Sequence, residues 1–193
     1  MPRPREFDEQ EVLAKALDVF WTHGYEATSI TDLMEATGLA KGSIYKGFGD
    51  KKSLFMLALN NYLEAGRSRF RDKATQDRSG REVLELWLSS LSEMATCSGV
   101  RKGCMSVNCT IELAPHDDDV RKRLRQHQRQ IEAMYAEVIQ RGVTDGSLRA
   151  DIDPATAARL LTTLINGLLV RAKLGLTKKQ AKETVDMALS VLT

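Results

Sequence analysis

The chain has 193 residues, of which 42% are hydrophobic and 28% charged, and a formal net charge of +2. This composition is typical of a folded globular protein and excludes a disordered one. No apolar run approaches the roughly 18 residues that a membrane span needs, and the basic N-terminus leads into no apolar signal segment, so we expect a cytoplasmic protein of one or two domains.

The first predicted element is an amphipathic helix that follows a short Pro/Arg arm at residues 2–6. Asp8 is suited to cap its N-terminus. The apolar residues that then recur at helical spacing are Val12, Leu13, Ala16, Leu17, Val19 and Phe20. Gly24 is expected to end this helix.

Two short helices are predicted next, with about three residues between them. Ser29 is suited to cap the first, and Gly38 is suited to end it in the left-handed conformation. The second is expected to begin near Lys41. Two short helices joined in this way predict a helix-turn-helix.

The second short helix divides its residues between two faces. Ile44 and Phe48 are four residues apart, so both can pack back on the first short helix. The residues left to face outward are Lys41, Gly42, Ser43, Tyr45 and Lys46. A surface of basic, hydroxyl and small groups suits a helix that lies in the major groove of DNA.

The rest of the chain also has the pattern of helices. Asp50 is suited to cap a long helix that reaches about Ala74, and a polar loop follows at 75–80. Further helices are predicted over about 81–97, 104–113 and 117–145, from Pro154 to about Arg171, and from about Lys178 onward. Since no strand pattern or internal repeat is present, we predict an all-α protein of about nine helices.

The last two predicted helices are apolar on more than one side. In the eighth, one stripe comprises Ala157, Leu160, Leu161, Leu164, Ile165, Leu168 and Leu169, while Ala158, Thr162, Gly167 and Val170 keep the remaining surface small and uncharged. A helix of this kind needs apolar cover on more than one side. We therefore expect a symmetric dimer through helices 8 and 9. The alternative is an entirely intramolecular core.

The N-terminal pattern resembles that of the TetR family of bacterial transcriptional regulators. The residues that carry the resemblance are Thr28, Ser29, Asp32, Gly38, the run from Lys41 to Tyr45, Phe48 and Lys51. The motif match extends over residues 4–55. After residue 55 the resemblance consists mainly of chain length, helical pattern and a cluster of Gly103, Cys104 and Asn108. Gly47 departs from the family, in which His or Tyr is frequent at this position, so one phosphate contact is expected to be absent.

The resemblance implies a function and a division of the chain. It implies a helix-turn-helix DNA-binding domain at 1–48, and a helical effector-binding and dimerisation domain at 49–193. It further implies a repressor that binds a palindromic operator as a homodimer, through a four-helix interface between the copies. A small effector is expected to change the tilt of the fourth helix and release the DNA. No cofactor is expected.

We also predict which residues contact DNA. Base edges are expected to be contacted by Lys41, Ser43 and Lys46, and phosphates by Thr28, Tyr45 and Lys51, with Ser29 and Gly42 completing the surface. The alternative for this set is a solvated surface turn. Arg3 and Arg5 are candidates for the flanking minor groove, and an idle tail is equally compatible with their positions.

The effector site is predicted among helices 4 to 8 by the resemblance alone. Its candidate lining residues are Tyr62, Trp87, Met94, Cys104, Met105, Asn108, Met134 and Tyr135. Each of them suits ordinary core packing as well, and Met in particular adapts to irregular gaps.

Cys104 has two alternative interpretations. It follows Arg101 and Lys102 and lies at a predicted helix start, and both features favour a reactive thiolate. The functional interpretation is a sensor of electrophiles or oxidants, with Cys97 as a possible resolving partner. In the structural interpretation, a small residue simply allows close packing. An odd number of cysteines argues against a disulfide framework.

Enzymatic activity is disfavoured by the motifs that the sequence lacks. It contains no nucleophile elbow, no phosphate-binding loop and no zinc-protease motif. The three histidines, His23, His116 and His127, have no spacing that suggests a metal site. The remaining alternatives are a helical thiol-dependent enzyme that uses Cys104 and an interaction scaffold with a vestigial DNA-binding head.

Overall fold

The computed structural model describes residues 7–96 and 102–193. Within these ranges the chain forms nine α-helices and no strand. The helices are α1 (Glu9–His23), α2 (Ile30–Thr37), α3 (Lys41–Phe48), α4 (Lys51–Ala74), α5 (Gly80–Thr96), α6 (Met105–Glu112), α7 (Asp118–Thr144), α8 (Pro154–Ala172) and α9 (Lys178–Ser190). The predicted all-α fold is confirmed. No helix in the described ranges is long and apolar enough to cross a membrane.

Local capping explains where most of these helices begin. The side chains that accept hydrogen bonds from first-turn N–H groups include Asp8, Ser29, Asp50, Ser79, Asp117, Asp153 and Thr177. The caps predicted at Asp8, Ser29 and Asp50 are thus confirmed. Gly24 ends α1 at φ 86°, and Gly38 ends α2 in the left-handed region at φ 75°.

The N-terminal helices and the first half of α4 share one apolar core. Phe20, Leu33 and Ile44 are almost completely buried in it, and Phe55 contributes from α4. The same cluster continues to Met105 on α6 and to the start of α7. The head formed by α1–α3 is therefore packed against α6 and α7 as well as α4, and the domain boundary predicted at residue 48 crosses continuous packing.

A second apolar core fills the C-terminal body between α4, α5, α7, α8 and α9. At its centre the Phe70 ring lies 5.2 Å from that of Trp87 and 4.9 Å from that of Tyr135. The Trp87 indole N–H donates to the Tyr135 hydroxyl at 2.8 Å, so both buried polar atoms are paired. Met94, near the end of α5, is half exposed and lies at the margin of this core.

The long helices α4 and α7 lie side by side and are joined near both ends. At the start, Lys52 Nζ lies 2.9 Å from the carboxylate of Asp117. Near the end, Arg141 Nη1 donates to the carbonyl of Ala74 at 2.8 Å. A displacement of α7 along its length would therefore be transmitted to α4, which enters the head directly after α3.

Candidate DNA-binding surface and internal cavity

The third helix is anchored by two residues on its inner face. Ile44 is 0% and Phe48 5% exposed, as their spacing predicted. On the outer face Lys41, Tyr45 and Lys46 are exposed, and the Lys41 Nζ lies 5.9 Å from the centre of the Tyr45 ring. We define the α3 surface as Lys41, Gly42, Ser43, Tyr45 and Lys46. It projects from the head with its charges available to a partner.

Two backbone features of this surface suit contact with an anionic polymer. The N-cap residue, Ala40, provides no side-chain hydrogen bond to the first turn, which leaves N–H groups free to attract phosphate. Gly42 is exposed, and a Cβ added there would meet nothing within 4 Å. Packing within the chain therefore does not require a glycine. Its absent side chain instead leaves the backbone open to close approach from outside.

Gly47 has a different explanation. A Cβ at this position would lie 3.0 Å from the Phe7 ring, and that ring lies 5.7 Å from the ring of Phe48. Phe7 therefore occupies the space that a side chain at residue 47 would enter. The departure from the family pattern thus coincides with an aromatic contact between the N-terminal segment and α3.

Thr28 and Lys51, which the sequence predicted to contact phosphate, are hydrogen-bonded to each other within the head. Thr28 is 1% exposed, and its hydroxyl donates to the carbonyl of Gly24 at 2.6 Å. Lys51 Nζ donates to the carbonyls of Thr28 at 2.9 Å and Tyr25 at 3.0 Å and lies 4.3 Å from the Tyr25 ring centre. Both side chains fix the α1–α2 turn against α4, a role that spacing alone did not reveal.

Ser29 is also used for local structure. Its hydroxyl accepts from the Asp32 N–H at 3.2 Å, and the Asp32 carboxylate accepts from the Ser29 N–H at 2.7 Å. This reciprocal capping box fixes the start of α2. The hydrogen bonds from the backbone and hydroxyl of Ser29 lower the pKa of Asp32. Ser29 itself remains exposed.

A cavity of about 110 Å³ lies in the body, between α4, α5, α7, α8 and the start of α6. Residues three or four apart on each long helix line it, so that one face of every helix contributes. The lining residues include Tyr62, Gly66 and Arg69 on α4, Trp87, Leu91 and Met94 on α5, Cys104 and Ser106 at α6, His127, Ile131 and Tyr135 on α7, and Ile165 and Asn166 on α8.

Five of the predicted effector residues line this cavity: Tyr62, Trp87, Met94, Cys104 and Tyr135. Met105 is instead 2% exposed within the core of the head. Asn108 donates to the Lys102 carbonyl at 2.8 Å and accepts from Lys173 at 3.2 Å, away from the lining. Met134 borders a separate groove between α4 and α7. Met105, Asn108 and Met134 therefore do not line the cavity, and we do not propose them as effector contacts.

The cavity also contains residues that the sequence did not single out for it. Arg69 and His127 are both part of the lining, and neither was distinguishable in the sequence from an ordinary helix-surface residue. A signal was nevertheless present, because Arg69 lies seven residues after Tyr62 and His127 eight before Tyr135. Both distances correspond to two helical turns, and so to the same helix face.

Comparison with known sequence families gives two matches along the chain. Residues 12–57 match the profile described as bacterial regulatory proteins, tetR family. Residues 80–188 match the profile described as tetracyclin repressor-like, C-terminal domain. The second match alone extends over more than half of the chain.

The chain belongs to the TetR family of transcriptional regulators. It is similar to the uncharacterized HTH-type transcriptional regulator YezE of Bacillus subtilis (strain 168), with 30% identity over 194 residues that cover 100% of each chain. It is also 29% identical to the HTH-type transcriptional repressor ComR of Escherichia coli (strain K12), over 90% of this chain and 83% of ComR.

Solved TetR family structures have the same architecture along the whole chain. A cysteine mutant of the TetR family regulator CifR, complexed with 26-bp double-strand operator DNA, is 32% identical, with a TM-score of 0.87 over 99% of this chain and 100% of that chain. The reduced form of Escherichia coli NemR reaches the same TM-score at 18% identity, over 95% and 96% of the two chains. The latter likeness shows the fold alone.

In this TetR family chain, the cavity and the head are connected through the segment that starts α6. Gly103 and Cys104 line the cavity. Directly before them, the Lys102 carbonyl accepts from the Trp21 indole N–H at 3.2 Å, and the Lys102 amine lies 2.5 Å from the Asp18 carboxylate. Both partners are on α1, so the cavity wall is in contact with the head. The predictions at Arg3, Arg5, Cys97 and Arg101 fall outside the described residues.

Proposed function

We propose that this chain is a transcriptional repressor that binds a palindromic operator as a homodimer and releases it when a small effector binds. The observation that carries the proposal is the α3 surface. Its outer face is basic and exposed, and its first turn has no side-chain cap. Gly42 exposes the backbone although packing within the chain would allow a side chain there. These features together suit a recognition helix in the major groove.

Within the DNA contact, we assign different roles to the exposed residues. Lys46 and Lys41 are the candidates for base edges, since their side chains are exposed on the outer face of α3. Tyr45 is the candidate for phosphate, together with the free N–H groups of the first turn. Ser43 is half-buried and Ser29 caps α2, so we assign both to the edge of the contact.

The dimer is proposed to form through an exposed stripe on α8 and α9. An exposed stripe follows alternating spacings of three and four residues: Leu160, Thr163, Gly167 and Val170 on α8, and Leu174 in the turn after it. Met187 on α9 and Val191 at its C-cap are also exposed apolar residues, with exposures of 67% and 47%, and we assign them to the same interface. A second copy that places the same stripe against this one would cover it, and would pair two α3 helices on one duplex.

Effector control is proposed to act through the cavity. A ligand that fills it would push on Gly103 and Cys104, and so on the Lys102 contacts with α1. It would also press on α4, which has one face in the cavity and leads directly into the head. A coupling free energy of about 1–3 kcal/mol between the two sites is sufficient for regulation.

The proposal is tested by capturing genomic fragments on the purified protein and measuring the affinity of the enriched duplex in a gel-shift series at several salt concentrations. We expect a salt-sensitive complex of two chains per duplex. Binding that is independent of sequence, or one chain per site, would contradict the proposal.

A second candidate function is thiol-based sensing through Cys104. Its Sγ lies on the cavity wall, 3.5 Å from the Tyr62 hydroxyl and 3.0 Å from the Ser106 hydroxyl. An unsaturated electrophile in the cavity could form a carbon–sulfur bond with the thiolate and take up a proton. Cys109, by contrast, is buried in the head core, and burial raises the pKa of its thiol to about 12, so it is expected to be inert.

N-ethylmaleimide separates the two functions. If Cys104 is the sensor, the reagent abolishes operator binding by the natural protein and by Cys97→Ser, but not by Cys104→Ser. Loss of operator binding in all three proteins would contradict a role for Cys104. The reversible effector site would be unaffected by that result.

A further inference from the structure

The charge of the cavity is one-sided. Among its described lining residues there is no Asp or Glu, whereas Arg69 and His127 both contribute. Arg69 is exposed at the cavity edge and has no hydrogen bond or salt bridge to any residue in the described ranges. A guanidinium without a partner, beside a cavity that has no acidic residue in its described lining, is available to an anionic ligand.

His127 adds a hydrogen-bond donor to the same space. Its Nδ1 lies 2.9 Å from Nη1 of Arg67, a residue that is 7% exposed. Because a guanidinium can only donate, Nδ1 must accept, and the ring proton is on Nε2. The imidazole that lines the cavity therefore has an N–H to offer a ligand.

The groups behind His127 are also positive on balance. Arg67 pairs with Glu64, and Arg123 Nη1 is buried without a hydrogen-bond partner in the described structure. Burial, together with the charges of Arg67 and Arg123, lowers the pKa of His127 to about 4. The neutral ring thus lies in a positive potential that a carboxylate would relieve and an ammonium group would increase.

Most of the remaining wall is apolar or aromatic, from Trp87 and Leu91 on α5 to Ile131 on α7 and Ile165 on α8. The uncharged polar residues Ser106, Thr162 and Asn166 also line it. The cavity of about 110 Å³ is smaller than the roughly 150 Å³ engineered cavity that accepts benzene. An apolar body of about three to five carbons therefore fits.

We propose that the effector is a small monocarboxylate, with its carboxylate held by Arg69 and the His127 N–H and its short apolar chain packed against Trp87 and Leu91. This inference rests on the proposed effector function and specifies its ligand. Two acidic residues lie nearby, Asp72 and Glu93, but both border the outer groove beyond Arg69 and are not part of the cavity lining.

The test uses three series of probes that differ only in the polar end: butanoate and pentanoate, their amides, and the amines of equal length. Binding to the full-length protein is measured by calorimetry without DNA, and operator release is measured separately. We expect a carboxylate to bind at least about tenfold more tightly than its amide, because a charge-assisted contact replaces a neutral one. The amines are expected to bind most weakly.

Arg69→Met and Arg71→Met form the matched pair of variants. Arg71 is also on α4, but it is absent from the cavity lining and lies 3.8 Å from Glu64. Arg69→Met should reduce the preference for carboxylate over amide to about twofold or less, whereas Arg71→Met should retain it. Equal preference in both variants would overturn the assignment to Arg69.

The outcomes separate this inference from the proposed function. Carboxylate binding without operator release supports the ligand class and contradicts effector control by that ligand. Tighter binding and operator release by an amide or amine support effector control and overturn the carboxylate inference. Absence of binding by every carboxylate at millimolar concentration also overturns it.

Discussion

The Glu112 carboxylate on α6 accepts a hydrogen bond from the backbone N–H of Glu26, in the turn between α1 and α2, at 3.1 Å. The approach is close because Gly24 has no side chain. A Cβ there would lie 2.9 Å from the Glu112 oxygen, and the φ of 86° is itself unfavourable for other residues. The α6 helix therefore holds the head at the turn that leads to its DNA-binding motif.

Replacing Glu112 should loosen this contact. We expect Glu112→Ala to lower the free energy of unfolding by about 1–2 kcal/mol, since a hydrogen bond to a charged acceptor is lost, and to accelerate exchange of the Glu26 amide hydrogen. Glu112→Gln keeps an acceptor and is the control. Hydrogen exchange followed by mass spectrometry measures both effects. Unchanged protection of Glu26 in the alanine variant would show that the contact does not hold the turn.

Gly42→Ala should separate folding from DNA binding. The added methyl group meets nothing within 4 Å, and alanine favours the helix, so stability should rise by up to about 1 kcal/mol. Operator affinity should fall by about 1–3 kcal/mol, the range of one lost base contact. Thermal melts and gel shifts measure the two effects separately.

Lys46 and Lys51 should respond differently to substitution. Lys46→Ala is expected to weaken the free energy of binding to the operator by about 1–3 kcal/mol, and that to unrelated duplexes much less, because base contacts determine sequence preference. Lys51→Met removes two hydrogen bonds to the α1–α2 turn, so it should lower the melting temperature and weaken binding to every duplex. A Lys51→Met protein of unchanged stability would contradict the structural role given to this residue.

The dimer surface is tested at Gly167, where a Cβ would meet nothing within 4 Å. Gly167→Glu is therefore compatible with the folded monomer, but it places two like charges in the proposed symmetric interface. We expect the variant to be monomeric by light scattering, with its helical content retained. Gln130→Glu adds the same charge to the exposed side of α7 and should remain dimeric. A dimeric Gly167→Glu protein would exclude this interface.

Acid should weaken the junction of α4 and α7. The hydrogen bond from Lys52 holds the pKa of Asp117 below its ordinary value of 3.8. The ion pair of Lys52 and Asp117 therefore contributes fully to stability above pH 3.8, where Asp117 is ionised even in the unfolded chain. This contribution is lost as the pH falls through the lower pKa that Asp117 has in the folded protein. Because both groups are partly exposed, we expect only about 0.5–1 kcal/mol. Asp117→Asn, which can still cap α7, should flatten this part of the curve of unfolding free energy against pH.

Most of the fold was accessible from the sequence because its signals are local. The caps at Asp8, Ser29 and Asp50 and the left-handed Gly38 each depend on residues within one helical turn. The anchoring of Ile44 and Phe48 followed from a spacing of four residues. Because such features are determined by residues within a short stretch of chain, the sequence alone was sufficient to predict them.

The cavity and the turn contacts were not accessible in the same way. Whether Met105 and Met134 line a cavity depends on how α6 and α7 are rotated, and no local pattern fixes that angle. The internal role of Lys51 depends on carbonyls more than 20 residues away. The positive potential of the cavity likewise arises from Arg67 and Arg123 on two different helices.

DNA recognition by paired α3 helices is tested most directly by a nuclease footprint on the operator fragment that the protein retains from genomic DNA. We expect two related half-sites with centres about 34–36 Å apart, or a multiple of that distance, and both should need a higher concentration of Gly42→Ala than of the natural protein to be protected. A single asymmetric site, or half-sites that Gly42→Ala protects at the same concentration as the natural protein, would contradict DNA recognition by paired α3 helices.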